Sequence, residues 1–313
     1  MIMHRGEQTL AIRALKSAAP YIRMYKGKTF IVKAGGGVFG DTDATRVLIE
    51  QIAILHYFGV RVVMVHGGGP QTTEISEALG IPTRMIEGRR VTDQKAIDVA
   101  AMVLNGLINT RILGMCRDLN IDAVGISGID AGLVRAHRRP PVQVGTGELV
   151  DFGFVGDIDG IDTTVLRKLL DNGLMPVVSP LSADETGVLL NINADTVAAA
   201  IGGALGAEKL ILCTGAPGIL ERVEDPTSLI SYTDLRGLQR LREEGRIVEG
   251  MLPKAKAIEN AIQGGVRRVH VVSYKSPEGI LGEVFTNEGT GTLIVADVNA
   301  LTPAEQQTAL GNG

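Results

Sequence analysis

The sequence lacks the residues that mark several common classes of protein. Its two cysteines, Cys116 and Cys213, stand far apart and outside any CxxC motif, so they indicate ordinary thiols of a reducing compartment rather than a disulfide framework. Tryptophan is absent, and aromatic residues make up only 4% of the chain. Because the net charge is −4 and no run of five like charges occurs, we do not expect an extended surface for nucleic acid or anionic membrane.

Signals for export or membrane insertion are also missing. The N-terminal residues Met-Ile-Met-His-Arg-Gly-Glu lack the apolar core of a signal peptide. No apolar run approaches the roughly 18 residues of a membrane span. We therefore expect a cytoplasmic protein whose partners are small molecules, with no nucleic acid and no membrane. A chain of 313 residues suffices for one large or two ordinary domains.

Glycine, by contrast, is abundant, with 40 residues. The apolar run Phe-Ile-Val at 30–32 leads to Lys33 and then to three consecutive glycines at 35–37. Such a loop loses much conformational entropy on folding, but it lets backbone amides approach an anion, most often phosphate. The alternative is a tight turn between a strand and a helix, with Lys33 in solvent.

The same arrangement occurs a second time. The apolar strand at 61–65 ends in His66, three glycines follow at 67–69, and a short helix comes next. Open α/β sheets bind ligands beyond the carboxyl ends of their strands, so we expect both glycine loops at one edge, holding an anion between them. A tight turn is the alternative for the second loop. For His66 we favour a buried structural role over that of a catalytic base.

The remaining pattern predicts the fold class. Apolar strands alternate with helical segments, which predicts an α/β fold with a mainly parallel sheet. A leader helix at 8–24, interrupted or kinked by Pro20, precedes the first strand. The turn-rich stretch 132–155 predicts hairpins that cover a site, and residues 296–313 are expected to form a loosely held tail.

A cation near the start of a late helix gives a further hint of an anionic ligand. Pro253 fits the first position of a helix, so Lys254 falls in the first turn, where the helix dipole disfavours a positive charge. An anion held by both the helix and the lysine explains that placement. The alternative is a side chain that reaches into water.

Three short polar side chains stand just before a helix of small residues. Asn191, Asn193 and Asp195 alternate with other residues there, and Asn193 or Asp195 alone suits a helix cap. The functional interpretation is that Asn191 binds substrate and Asp195 orients two lysines. Phosphoryl transfer needs cations and in-line positioning, yet the chain has neither a Walker loop nor a His-Arg-Asp kinase loop.

An arginine pair, Arg89 and Arg90, lies beside Thr92. A guanidinium group binds a carboxylate through two hydrogen bonds, so the pair favours an acidic small-molecule substrate. Surface ion pairs are the alternative.

Together these stretches resemble the N-acetylglutamate kinase branch of the amino acid kinase family, in consistent order from about Pro20 to Val295. The matching motifs are Val-Lys-Ala-Gly-Gly at 32–36, Val-His-Gly-Gly-Gly-Pro at 65–70, Gly-Arg-Arg-Val-Thr-Asp at 88–93, Phe-Gly-Phe-Val-Gly at 152–156, Asn-Ile-Asn-Ala-Asp at 191–195, Gly-Met-Leu-Pro-Lys at 250–254 and Gly-Thr-Gly-Thr at 289–292.

The resemblance implies an open αβα sandwich with a mainly parallel central sheet and an N-terminal leader helix. It divides the chain into the leader helix (1–26), an acyl-amino-acid lobe (27–195), an ATP lobe (196–296) and a flexible tail (297–313). It implies transfer of the γ-phosphoryl group of ATP, with Mg²⁺, to the side-chain carboxylate of N-acetyl-L-glutamate, the second step of arginine biosynthesis.

The resemblance also implies a role for each matching residue. Lys33 and Lys254 would stabilise the transferring phosphoryl group, and Asp195 would hold both lysines. The residues implied to bind phosphate are Gly35, Gly36 and Gly68. Those implied to bind the acylated amino acid are Gly68, Gly69, Arg90 and Asn191. Mg²⁺ would be held mainly by the nucleotide phosphates rather than by dedicated protein ligands.

Regulation follows from the same resemblance. The leader helix is similar to the extension that joins dimers into a homohexamer, a trimer of dimers, in arginine-inhibited members. The implied site for L-arginine includes Tyr21, His270, Glu283 and Gly289. A non-catalytic arginine-sensing homologue is one alternative. A dinucleotide-dependent oxidoreductase is another, although the second glycine loop lacks the third glycine that such enzymes need.

The chain departs from the family pattern in three places. Ala34 and Gly37 replace the residues usual after the catalytic lysine, Arg89 replaces a leucine, and Gly215 replaces an aspartate near the nucleotide. Arg89 either points away from the site or admits another substrate, such as N-succinylglutamate or a carrier-linked glutamate or aminoadipate.

Overall fold

The computed structural model describes residues 5–300, apart from 146, 223, 226, 248, 249, 287 and 288. The helices are α1 (Arg5–Tyr25), α2 (Thr42–Tyr57), α3 (Gly69–Ala78), α4 (Gln94–Ala101), α5 (Thr110–Asp118), α6 (Thr164–Asp171), α7 (Ala194–Leu205), α8 (Leu235–Glu243), α9 (Leu252–Gln263) and α10 (Gly279–Phe285). The strands are β1 (Thr29–Ala34), β2 (Arg61–His66), β3 (Arg84–Ile86), β4 (Arg89–Val91), β5 (Ala123–Ser127), β6 (Val134–Arg138), β7 (Val142–Gln143), β8 (Leu149–Val150), β9 (Gly156–Ile161), β10 (Met175–Ser179), β11 (Leu181–Ala183), β12 (Leu189–Asn191), β13 (Lys209–Thr214), β14 (Tyr232–Asp234), β15 (Arg268–Ser273) and β16 (Thr292–Val295).

The central sheet has the order β14-β16-β15-β13-β1-β2-β10-β5 among the described residues. Every neighbouring pair is parallel except β15 and β16, which are antiparallel. β1 lies in the middle, with β2 on one side and β13 on the other. Later strands therefore lie on both sides of β1, which makes its carboxyl end a topological switch point. Open α/β sheets bind ligands in the crevice beyond such a point.

Alternate residues of the central strands enter two different cores. In β1, Ile31 packs into one core, whereas Phe30 and Val32 pack into the other. This alternation follows from the two-residue period of a strand. Each fully buried side chain of this size contributes about 1.5–3 kcal/mol. Because α7 and α9 line one core and α2 lines the other, the αβα sandwich and the mainly parallel sheet are confirmed.

Small strands beside the main sheet were not fully anticipated. The turn-rich stretch 132–155 contributes the β7–β8 hairpin, as predicted. β6 of the second sheet, β12-β11-β6-β9, also lies in that stretch, whereas β9, β11, β12 and the hairpin β3–β4 were not predicted as strands. The side chains of β3, β4 and β9 are mostly half-buried or exposed, so these strands lack the continuous apolar runs that mark the central strands.

The long helical pattern at 94–119 forms α4 and α5 with a π-helical segment, Met102–Asn109, between them. By length and composition alone the run Gln94–Asp118 is apolar enough to cross a membrane. A core helix of a globular protein passes the same test, and Ile97, Ile108 and Ile112 are fully enclosed in the core. No other described helix passes it.

The leader helix is longer and more regular than predicted. α1 runs without a break from Arg5 to Tyr25 and contains Pro20, so the expected interruption at that residue is wrong. The alternative, a kink at Pro20, stays a prediction. Its exposed apolar side chains include Ile12, Leu15 and Met24. At the other end of the chain, Val298–Ala300 forms one helical turn. The rest of the predicted tail, 301–313, lies outside the described residues.

Candidate active site

Two lysines share one carboxylate at the carboxyl end of β1. The Lys33 ammonium nitrogen lies 2.7 Å from Asp195 Oδ1, and Lys254 Nζ donates to Asp195 Oδ2 at 2.9 Å. The side chains of Lys33 and Asp195 are 5% and 4% exposed, and that of Lys254 is 21% exposed. One positive charge is therefore in excess where little water reaches, which suits an anionic ligand.

Local sequence explains how the three side chains meet. The Asn193 side chain caps α7 by accepting from the amides of Asp195 and Thr196 at 2.7 and 3.3 Å, which leaves the Asp195 carboxylate for the lysines. Further along, an added Cβ on Gly203 of α7 would lie 3.0 Å from the Gly264 carbonyl oxygen. The absence of a side chain there lets α7 and α9 pack closely, with Lys254 in the first turn of α9.

Burial and charge act against each other in this cluster. Burial lowers the pKa of Lys33, and the attraction of Asp195 only partly offsets it. Burial alone would raise the pKa of Asp195, but Lys33 and Lys254 more than offset it, so the pKa of Asp195 is lowered and the carboxylate stays ionised. A bound phosphate would favour the charged form of Lys33 because it adds an anion beside it.

The glycine loops after β1 and β2 lie in direct contact. An added Cβ on Gly36 would be 2.7 Å from Pro70 Cδ and 3.0 Å from Gly68 Cα. The Gln71 side chain donates to the Gly36 carbonyl at 2.8 Å. An added Cβ on Gly35 would lie 3.7 Å from Lys33 Nζ, so the first loop borders the lysine cluster.

We expect Gly68→Ala to lower the free energy of unfolding by about 1–3 kcal/mol, the usual cost of overpacking. A Cβ at Gly68 would lie 2.4 Å from Ile108 Cδ1 and 2.7 Å from Leu104 Cδ2, whereas one at Gly69 meets nothing within 4 Å. Gly69→Ala is therefore the matched control. Urea unfolding of both variants measures the difference, and equal stabilities would contradict the packing argument.

The π-helical segment contacts His66, the residue just before the second glycine loop. The Asn109 side chain donates to the Val177 carbonyl at 3.0 Å and lies 3.2 Å from His66 Nε2. Burial lowers the pKa of His66 to about 4, so the ring is neutral, and its Nδ1 lies 3.2 Å from the Gly67 carbonyl oxygen. His66 is thus enclosed in the core, which favours the structural role over a catalytic one.

Arg90 reaches the second glycine loop from the β3–β4 hairpin. Its guanidinium donates to the Gly69 carbonyl at 3.1 Å, to Thr73 Oγ1 at 2.6 Å and to Thr83 Oγ1 at 3.0 Å. Burial lowers the pKa of this half-buried group. All of these partners are neutral, so the positive charge remains uncompensated by them and suits a substrate carboxylate.

Two other residues of the predicted substrate site have different surroundings. Arg89 is exposed and pairs with Ile86 in the hairpin, so its side chain lies at the protein surface. That it points away from the substrate site stays a prediction. Asn191 ends β12, and its backbone N–H donates to the Phe154 carbonyl at 2.8 Å. It therefore stands four residues before Asp195, on the strand that leads into α7.

A second polar cluster lies under α10. His270 Nδ1 is 2.7 Å from Glu283 Oε1, and Lys209 Nζ is 2.8 Å from His270 Nε2. Glu283 Oε2 accepts from the amides of Thr290 and Gly291 at 2.7 and 2.9 Å. Burial alone would raise the pKa of Glu283. The hydrogen bonds from His270 and from the two backbone amides outweigh burial, so the pKa of Glu283 is lowered. This cluster is almost fully buried.

The remaining residues of the implied arginine site, Tyr21 and Gly289, both lie against residues of α10. Gly289 has a φ of +65°, and an added Cβ there would lie 2.8 Å from Glu283 Oε2. Tyr21 of α1 packs edge-to-face on Phe285 of α10, with ring centroids 6.5 Å apart. Lys209, which sequence reasoning did not single out, lies 5.1 Å from the ring centre of Tyr25. Because Lys209 begins an apolar strand, the sequence pattern did not indicate that its side chain belongs to this buried cluster.

The buried histidines predict an acid-sensitive fold. Burial lowers the pKa of both His66 and His270 from the ordinary 6.5 to about 4, so the unfolded chain binds more protons between those values. Stability is then lost as the pH falls through this window, with a slope that reaches about 2.7 kcal/mol per pH unit for two histidines. Urea unfolding at several pH values measures it. His270→Asn should halve the slope, exposed His137→Asn is the control, and a flat profile would contradict the prediction.

The described residues offer no ready-made metal cage. Within them, no three side chains of His, Cys, Asp or Glu are grouped as metal ligands. The cationic cluster of Lys33 and Lys254 instead suits an anion.

Comparison with known proteins agrees with this architecture. The amino acid kinase family matches residues 28–273, and the chain belongs to that family. Within it, the chain falls among the acetylglutamate kinases. It is 46% identical to the acetylglutamate kinase of Myxococcus xanthus over 296 residues, covering 93% of this chain and 96% of that protein. The Symbiobacterium thermophilum acetylglutamate kinase is 41% identical over 281 residues, covering 90% and 96%.

Among solved structures, the chain is similar to an N-acetylglutamate synthase from Neisseria gonorrhoeae complexed with coenzyme A and N-acetyl-glutamate. The TM-score is 0.80 at 26% identity, over 91% of this chain and 63% of the synthase. This chain thus spans less than two thirds of that protein. A second structure of the synthase, complexed with coenzyme A and L-arginine, gives a TM-score of 0.74 at 24% identity, over 91% and 65%.

Proposed function

We propose that this chain transfers the γ-phosphoryl group of ATP to the side-chain carboxylate of N-acetyl-L-glutamate, forming N-acetyl-L-glutamyl 5-phosphate in arginine biosynthesis. The observation that carries the proposal is the buried cluster of Lys33, Asp195 and Lys254, whose excess positive charge borders the first of two contacting glycine loops. In its support, the chain is 46% identical to an acetylglutamate kinase over nearly its whole length.

The transfer itself needs no proton. An oxygen of the substrate carboxylate attacks the γ-phosphorus, the new O–P bond forms, and the bond to the β–γ bridging oxygen breaks, releasing ADP. Lys33 and Lys254 offset the negative charge on the transferring group, and Asp195 fixes both ammonium groups in place. Mg²⁺ on the nucleotide adds positive charge when bound. The amides of Gly35, Gly36 and Gly68 are the proposed phosphate donors.

The substrate is held, in this proposal, from the first lobe. Arg90, anchored on the Gly69 carbonyl, binds a carboxylate of the acylated amino acid, with Gly68, Gly69 and Asn191 as its other contacts. Residues 27–195 then form the acyl-amino-acid lobe and residues 196–296 the ATP lobe, although one sheet runs through both. Both cysteines are free and buried, so we place the enzyme in a reducing compartment, the cytoplasm.

ADP release tests the proposal. With ATP and Mg²⁺, N-acetyl-L-glutamate should stimulate ADP release, and unacylated L-glutamate should stimulate it at least tenfold less. Absence of stimulation would leave the non-catalytic alternative. The same assay tests the acyl group, because exposed Arg89 should not affect it. A preference for N-succinylglutamate that Arg89→Leu abolishes would overturn the assignment of the acetyl substrate.

We also propose that L-arginine inhibits this enzyme and that it assembles as a homohexamer. The buried Lys209–His270–Glu283 cluster, with Tyr21 of α1 packed on Phe285 of the helix that carries Glu283, is the observation that favours this. Exposed Ile12 and Leu15 on α1 supply an apolar face for a second copy. Light scattering should give a hexamer, and millimolar arginine should raise the KM for N-acetyl-L-glutamate. A monodisperse dimer with unchanged activity would refute both.

A further inference from the structure

Two glycines at the carboxyl ends of neighbouring parallel strands have no conformational reason to be glycine. Gly37 follows β1 and Gly215 follows β13, and neither has a φ in the left-handed region. Both positions are exposed. The backbone at each therefore tolerates an L-residue, and the reason for glycine must lie in what surrounds it.

Both glycines face the same atom. An added Cβ on Gly37 would lie 2.9 Å from the Tyr274 hydroxyl oxygen, and one on Gly215 would lie 3.4 Å from it. The ring is farther away, with Cζ at 3.7 and 3.8 Å from the two positions. The absence of side chains at these two positions thus makes room for a single phenolic hydroxyl.

The strand order explains how one tyrosine reaches both loops. Tyr274 directly follows β15, and its amide donates to the Thr214 carbonyl at 2.9 Å. Since β15, β13 and β1 are parallel neighbours, their carboxyl ends lie side by side, about 4.8 Å apart. The side chain extends from the third strand, past the loop of the second, to the glycine loop of the first.

The hydroxyl reaches the switch point of the sheet without a protein partner. Among the described residues it makes no hydrogen bond, although the ring packs against the core. It lies over the loop that also borders Lys33. A phenolic hydroxyl is a good donor to an anionic oxygen, and the adjacent cluster carries excess positive charge.

We propose that the Tyr274 hydroxyl donates a hydrogen bond to the β- or γ-phosphate of the bound nucleotide, and that Gly37 and Gly215 keep its position clear. This inference rests on the proposed function. It adds to the phosphate site a donor that directly follows β15. None of the motifs shared with the family includes this strand.

Tyr274→Phe removes the hydroxyl alone and retains the ring. Isothermal titration with the non-hydrolysable analogue AMP-PNP and Mg²⁺ should show about tenfold weaker binding, as expected for one hydrogen bond to a charged group. The binding of AMP, which lacks both distal phosphates, should not change. A purely structural role for the ring predicts wild-type affinity for both nucleotides, and that result would overturn the proposal.

Gly37→Ala gives an independent test through a double-mutant cycle. The new methyl group should displace the hydroxyl and weaken AMP-PNP binding about as much as Tyr274→Phe does. In the Tyr274→Phe background the methyl group meets only the ring, at ordinary contact distance, so it should cost little more. Fully additive losses would contradict the proposal.

The titration also separates this inference from the proposed function. If the wild-type enzyme binds AMP-PNP but does not phosphorylate N-acetyl-L-glutamate, the proposed function fails and the effect of Tyr274→Phe on binding still decides the inference. If the wild-type enzyme binds no AMP-PNP, the inference is overturned as well.

Discussion

Lys33→Met is expected to lower kcat about a thousandfold. Loss of one uncharged donor to a developing charge costs about a hundredfold to a thousandfold, and Lys33 is charged and buried, where electrostatic interactions are strongest. KM for N-acetyl-L-glutamate should change little, because Arg90 and not Lys33 is proposed to bind that substrate. Steady-state kinetics with ATP and N-acetyl-L-glutamate measure both constants.

The matched control is Lys28→Met, at the exposed position just before β1. It makes the same chemical change at the opposite end of the same strand, so kcat should stay within about twofold of the wild type. If Lys33→Met retains more than a tenth of the wild-type kcat, the phosphoryl group is not stabilised by this lysine.

Asp195→Asn is expected to reduce both stability and catalysis. Removing one member of a buried ion pair costs about 3–5 kcal/mol, because the remaining charge is left without its partner, and Asp195 is the partner of two lysines. With both ammonium groups released, kcat should fall at least about a hundredfold. Urea unfolding and steady-state kinetics test the two effects separately.

Asp118→Asn is the matched control for that change. Asp118 also accepts from a cation, Arg46, but both side chains are about half exposed, so solvent screens the pair and its loss should matter little. The account is contradicted if Asp195→Asn and Asp118→Asn destabilise the protein equally. A stable Asp195→Asn variant with full activity would contradict it as well.

Sequence reasoning identified the parts of the site that depend on local pattern. The continuous apolar runs of β1 and β2 predicted buried parallel strands, and a lysine or a histidine followed by glycines marked their carboxyl ends. The polar residues before α7 suggested a cap, and Asn193 supplies it. These features are readable because strand period, helix capping and turn chemistry act over only a few residues.

Other features depend on contacts between distant segments. The π-helical segment Met102–Asn109 has the same apolar spacing as an ordinary helix, so its extra residue per turn is not visible in the pattern. In the sequence Lys209 is only the polar first residue of an apolar strand. The folded chain shows that it is buried beside His270, which in turn contacts Glu283. Likewise, Tyr274 acquires meaning only when β15, β13 and β1 are brought together.

The departures from the family pattern also depend on contacts between distant segments, which the sequence does not show. Arg89 suggested a changed acyl pocket, and its exposed position on the β3–β4 hairpin is visible only in the folded chain. Gly37 and Gly215 appeared as two separate departures from the family pattern. In the folded chain they are neighbours of one hydroxyl group. Substitutions far apart in sequence therefore cannot be interpreted one at a time when a third residue fills the space that both leave.

Phosphorylation of a carboxylate at the two-lysine cluster yields an acyl phosphate, which can be trapped chemically. Hydroxylamine converts an acyl phosphate into a stable hydroxamate. The wild-type enzyme and the Lys256→Met variant, which changes an exposed lysine of α9, should form hydroxamate from N-acetyl-L-glutamate only when ATP and Mg²⁺ are present. Lys254→Met should form at least about a hundredfold less. Equal hydroxamate from both variants would exclude Lys254 from the transfer, and none from the wild-type enzyme would exclude N-acetyl-L-glutamate as the phosphoryl acceptor.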